Sequence, residues 1–174
     1  MSLFVSQGGW VQATYAWDKS NGYLGQGAGG GLDAGGTVEN TVDSVSPGVR
    51  GDLIGLSMSH NAVCVAWVSV KQEDGSDGGS WTGDIGADCG QHWYENGQLA
   101  GVKEEDGEEV DYYPRCTWFD GDHTNGIPSA AMKWRTRAYE EPNAEGVASA
   151  GRSCDYTRYS GDQGPISGIR FSHH

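Results

Sequence analysis

Basic residues are scarce in this chain. Eleven Lys and Arg stand against 24 Asp and Glu, leaving a net charge of −13 over 174 residues. Such a surface repels nucleic acid and anionic membranes and excludes phosphate binding as a main task. No apolar run approaches the roughly 18 residues that a membrane-spanning helix needs. The first ten residues lack both the basic and the apolar region of a signal peptide, so an exported form implies a leader already removed. No CxxC pair occurs among the four cysteines, which argues against a zinc ribbon or a thioredoxin motif. HExxH, H-x-H and Gly-x-Ser-x-Gly are also absent, removing the usual sequence grounds for a zinc hydrolase or a serine esterase. No amphipathic helix longer than two turns can be drawn.

What is abundant is glycine, with 29 residues, and aromatic side chains, with seven Trp, eight Tyr and three Phe. The aromatics supply enough buried area for one folded domain despite only 36% hydrophobic content. Trp10 to Trp17 alternates with a period of two, as a half-buried strand does. Leu53–Met58 and Ala62–Val70 follow, the second apolar on both faces, as expected of a central strand. Tyr112–Phe119, Ala130–Tyr139 and Ile166–Phe171 add further strand character. Residues 20–36 hold eight glycines and read as a flexible loop. Residues 103–111 hold six acidic side chains and read as a solvated acidic loop. His92-Trp-Tyr-Glu-Asn-Gly-Gln98 predicts a hairpin turning at Asn96-Gly97. The expected fold is all-β: one domain over 1–174, a β-sandwich or irregular antiparallel barrel with long Gly-rich loops.

Cys64, Cys89, Cys116 and Cys154 are most simply read as two disulfides, with three possible connectivities; buried free thiols are the alternative. The segment Cys116-Thr-Trp-Phe-Asp-Gly-Asp-His-Thr-Asn-Gly126 runs a strand into a polar loop, the usual way a scaffold presents a site. Asp120, Asp122 and Asn125 offer hard oxygens to calcium, but the spacing departs from the EF-hand loop by one residue and no Glu stands at its twelfth position. Asp120, Asp122 and His123 offer acid/base groups, as in a small glycan hydrolase or a cyclase acting in a β-barrel pocket. Against both stands a plain turn whose Asp and Asn cap their own backbone.

Alternation puts Lys133, Arg135 and Arg137 on one face of a strand, a stripe suited to an anion or uronate, to pairing with the acidic loop, or to guarding a sheet edge. Trp81, Trp93, Tyr94, Tyr113 and Trp118 are candidate sugar-stacking aromatics, Arg135 a candidate polar partner, and core packing the competing role.

The blocks Asn61-Ala-Val-Cys-Val-Ala-Trp67, Trp81-Thr-Gly-Asp84, Cys89-Gly-Gln-His-Trp-Tyr94 and Cys116 to Gly126 resemble, in this order, a group of small secreted proteins of filamentous ascomycetes. The resemblance spans about residues 55–135. It implies secretion, a cysteine-stapled β domain and two disulfides, and it implies no particular chemistry. The chain departs from the group in lacking a leader and in its acidic insert at 103–111. The expected role is binding of a cell-wall glycan or a host surface component, with the small enzyme as the alternative.

Overall fold

The computed structural model describes residues 2–7, 9–33, 35–140 and 143–168. Two six-stranded antiparallel sheets face each other across one apolar core. The first sheet runs β4 (Thr37–Glu39), β1 (Ser2–Gln7), β7 (Val63–Lys71), β12 (Cys116–Phe119) and β9 (Trp93–Tyr94), with β8 (Asp77–Thr82) also paired to β7. The second runs β14 (Thr157–Ser160), β13 (Ala131–Arg135), β6 (Leu53–Met58), β2 (Gly9–Trp17), β3 (Tyr23–Leu32) and β5 (Asp43–Ser44). A separate hairpin, β10 (Gly101–Glu105) and β11 (Glu108–Tyr112), stands apart from both. Two short helices, α1 (Gly83–Asp88) and α2 (Asn143–Ser149), complete the regular structure. The molecule is therefore all-β, as the sequence predicts, and of the two architectures left open it is the β-sandwich.

Val11, Ile54, Leu56, Met132 and Trp134 from the second sheet meet Val63, Val65, Val68, Trp81 and Phe119 from the first. Trp81 lies 6.2 Å from Phe119 and 6.5 Å from Trp134, ring centre to ring centre. The bulk of these indoles fills the space between sheets that branched aliphatics leave open. Two disulfides staple the sandwich: Cys64–Cys116 joins β7 to β12, and Cys89–Cys154 ties the end of α1 to a 3-10 turn before β14. No described cysteine is free.

Three expectations need correction. Residues 23–32 are not a flexible loop but a ten-residue strand paired along its length with β2. Glycine is required there by close backbone approach: a Cβ on Gly29 would stand 1.7 Å from the Val11 carbonyl oxygen. Residues 103–111 are not a loop but the exposed arms of the β10–β11 hairpin. Asp106 and Gly107, both at positive φ, form its two-residue turn. The predicted turn at Asn96-Gly97 makes no hairpin, because β9 pairs with β12; the Asn96 side chain instead accepts the Gln98 amide at 3.1 Å.

The basic stripe also reads differently: β13 ends at Arg135, and Arg137 lies in the 3-10 turn Thr136–Tyr139. β13 is an interior strand, so its charges guard no edge. Lys133 is fully buried, and Arg137 pairs with Asp52 at 2.7 Å. Neither reaches the acidic hairpin, and Lys133 is closed to an anionic ligand.

Candidate functional site

The polar loop after β12 is built by Asp120. Its backbone continues the strand, and its carboxylate is completely buried. One carboxylate oxygen accepts the Asp122 amide at 2.9 Å, and the other accepts the Thr124 amide at 3.1 Å and the Thr124 hydroxyl. Each unpaired donor at this tight turn would otherwise face burial without a partner. Asp120 is thus a turn-building residue out of reach of any substrate. Asp122 leaves the loop for solvent and pairs with exposed His60 at 2.9 Å. His123 sits at φ 56° and donates from Nδ1 to the Ile127 carbonyl at 2.9 Å. The three residues form no shared constellation, and strand-end geometry sends them to three different partners. Among the described residues, no group of three His, Cys, Asp or Glu side chains is close enough to hold a metal ion.

What the loop does shape is a groove beside it. At the free edge of the first sheet, a cleft of about 540 Å³ is lined by Gln91, His92, Trp93, Trp118, Asn125 and Ile127. Strand register explains the arrangement. Cys116 lies opposite Tyr94, and Thr117 opposite Trp93. Directly opposed residues share a sheet face. Tyr94 therefore stands on the outer face with Cys116, as does Trp118 two residues along. Trp93 projects to the α1 side, where Thr117 donates to the Gly83 carbonyl. The groove wraps the sheet edge between these two sides.

The supports are specific. Cys64, Ala66 and Cys116 form a buried patch on the outer face, and Trp118 and Trp67 pack over it, so the disulfide is the floor of an aromatic platform. Trp93 carries the Arg115 guanidinium over its ring at 5.1 Å. Arg115 is itself anchored to Asp84 at 2.8 Å and Asp88 at 3.0 Å, and the Asp84 hydrogen bond holds it more firmly protonated than a free arginine. Tyr112, at the foot of the hairpin, donates to Asp84; burial first, then that bond, raises its pKa above the ordinary tyrosine value.

The polar lining holds no Asp, Glu, Lys or Arg. The Ser129 hydroxyl donates to Gln91 Oε1 at 2.6 Å, fixing the amide plane. Gln91 Nε2 and the side chains of His92 and Asn125 make no hydrogen bond among the described residues. Asn125 is held at φ 55° by the turn that Asp120 organises.

Of the aromatics proposed from sequence, Trp93 and Trp118 line the groove, and Tyr94 extends the platform with 58% of its surface exposed. Tyr113 is exposed but lies outside the groove lining. Trp81 is corrected to a core residue with no exposed surface. Arg135 lies on the other sheet, paired in register with Leu53. Gln91 escaped the sequence reading because an isolated glutamine carries no pattern. His92 stands in the sequence only within the predicted hairpin and the Cys89–Tyr94 block, with no pattern that marks it as a site residue.

Fold and site together define a disulfide-stapled antiparallel β-sandwich with an aromatic edge groove. No protein-family model matches the chain, and neither curated proteins nor solved structures yield a match.

Proposed function

We propose that this protein is an extracellular glycan-binding β-sandwich that acts by recognition, with the β9-edge groove as its binding site. The observation that carries the proposal is one cleft that combines indole surface from Trp93 and Trp118 with planar polar side chains that keep donors or acceptors unengaged among the described residues. Sugar rings present an apolar face and an equatorial belt of hydroxyls, and an aromatic surface flanked by amides answers both. A rigid support favours binding, because little freedom is lost when ligand arrives. Here a disulfide lies beneath the outer platform, and an ion-paired arginine backs Trp93.

Two disulfides fit an oxidising, extracellular setting, and the resemblance to secreted ascomycete proteins points the same way. No helix among the described residues is long and apolar enough to cross a membrane.

The test is a glycan array read with wild type, Tyr94→Ala and Trp118→Ala. Wild type is expected to bind a defined set of cell-wall oligosaccharides, and Trp118→Ala to lose that set while keeping its near-ultraviolet circular dichroism. Binding that survives both substitutions would place recognition elsewhere.

A further inference from the structure

We infer that the β9-edge groove selects neutral hexose units, with Gln91 and Asn125 reading their hydroxyls, and rejects acidic sugars; this rests on the glycan-binding reading above. The chain carries a net charge of −13, yet no Asp, Glu, Lys or Arg lines the groove. An acidic sugar would enter a negative field and lose water without a cation to receive it. The cation that packs on the lining is committed: Arg115 lies over Trp93 and is engaged by Asp84 and Asp88. An amino sugar would be drawn by the field but would find no carboxylate in the lining.

A hydroxyl is the group that suits what the lining offers, since it both donates and accepts. Gln91 is the better defined partner. Because Ser129, itself buried, holds Oε1, the two Nε2 hydrogens are left to donate toward the cleft. Among the described residues, Asn125 presents an unengaged amide from a left-handed turn position, and His92 an unengaged imidazole. A purely apolar ligand would strip water from these groups without replacing it, which costs affinity.

The experiment is isothermal titration of the folded chain with three probes: a neutral β-1,3-glucan oligosaccharide, a neutral β-1,4-glucan oligosaccharide and an oligogalacturonate. At least one neutral probe is expected to bind with little salt dependence, and oligogalacturonate to give no heat. Gln91→Leu is expected to weaken the neutral probe about five- to tenfold, the worth of one hydrogen bond. Asn125→Gly, which keeps the positive φ, tests the second reader without disturbing the core and is expected to weaken the same probe severalfold. Gln91→Lys is expected to admit oligogalacturonate in a salt-sensitive manner.

Tight, salt-sensitive binding of oligogalacturonate by wild type would overturn the inference while leaving the glycan site standing. Neutral binding that is lost in Trp118→Ala but unchanged in both Gln91→Leu and Asn125→Gly would do the same. Absence of binding by all three probes, together with an empty array, overturns the glycan-binding reading itself.

Discussion

The two sheets treat their outer faces in opposite ways. On the second sheet, the outward residues Ala13, Tyr15, Trp17, Leu53 and Lys133 are all buried. The segment 163–168 lies over them: Gln163 donates to the Met58 carbonyl at 2.9 Å, Gly164 to the Ser57 hydroxyl at 2.8 Å, and Lys133 to the carbonyls of Ile166 and Gly168. Lys133 also donates to Asn21 Oδ1 at 2.6 Å and sits 3.7 Å over the Trp17 ring. On the first sheet, the outer aromatics Trp118 and Tyr94 have no comparable cover among the described residues and stay partly open. An aromatic outer face is therefore structural where chain closes over it and available for ligand where chain leaves it. The difference teaches that aromatic content alone assigns neither role.

The sharpest way to break this comparison is to truncate one tryptophan on each face. Trp17→Ala removes a fully covered indole and the ring beneath Lys133, and is expected to cost about 3–5 kcal/mol, as large-to-small core changes do. Trp118→Ala is expected to cost clearly less stability while abolishing glycan binding. Urea denaturation of both variants checks the pair, and equal losses would mean that the two faces are equivalent.

Next in size is the floor of the open platform. Opening Cys64–Cys116 with a double Ser substitution frees a loop of 52 residues and is expected to cost about 2–4 kcal/mol. Opening Cys89–Cys154, with a separation of 65, removes a similar constraint but touches only the α1 end. Calorimetry on both double variants should show comparable falls in Tm, whereas only the first should weaken binding at temperatures where it remains folded.

A smaller effect separates the faces by pH. Burial lowers the Lys133 pKa from its ordinary 10.5 to about 8, with Arg158 and Arg135 adding to the shift. Below about pH 8 the lysine is protonated in both folded and unfolded chains, so burial of the charge opposes folding in full. Between pH 8 and 10.5 the unfolded chain binds the extra proton, so this group makes stability rise with pH. Tyr15, Tyr139 and Tyr159, whose pKa values burial raises, act the other way above about pH 10. The informative window is therefore about pH 8–9.5. Stability of wild type relative to Lys133→Met should climb across it, measured by denaturant titration at each pH. A flat difference would mean that Lys133 keeps its ordinary pKa and that its three acceptors offset its burial.

The fold was largely legible because strand alternation survives in Trp10 to Trp17 and in the apolar run of β7. Glycine misled the reading at 23–32, since the same residue marks a loop and a strand crowded by neighbouring backbones. Asp106-Gly107 was the true hairpin signal, hidden inside an acidic run read only for its charge. At the site, sequence picked out Trp93, Tyr94 and Trp118 but grouped them with Trp81. Nothing in an indole's own sequence position says which side of a sandwich will bury it. Gln91 acquires its role only through Ser129, 38 positions away.

The smallest expected effect concerns the polar loop after β12. Asp120 and Asp122 are two positions apart, yet one is buried with three donors on its carboxylate and the other is half exposed with a single imidazole partner. Replacing a buried acceptor strands its donors, whereas an exposed ion pair is held in high dielectric and contributes little. Asp122→Asn should therefore leave Tm and glycan affinity unchanged, while Asp120→Asn lowers Tm and loosens the turn that holds Asn125. Thermal melts and titration of the two variants side by side check this. A loss of binding in Asp122→Asn with Tm intact would move the working chemistry from the groove back to the His60–Asp122 pair.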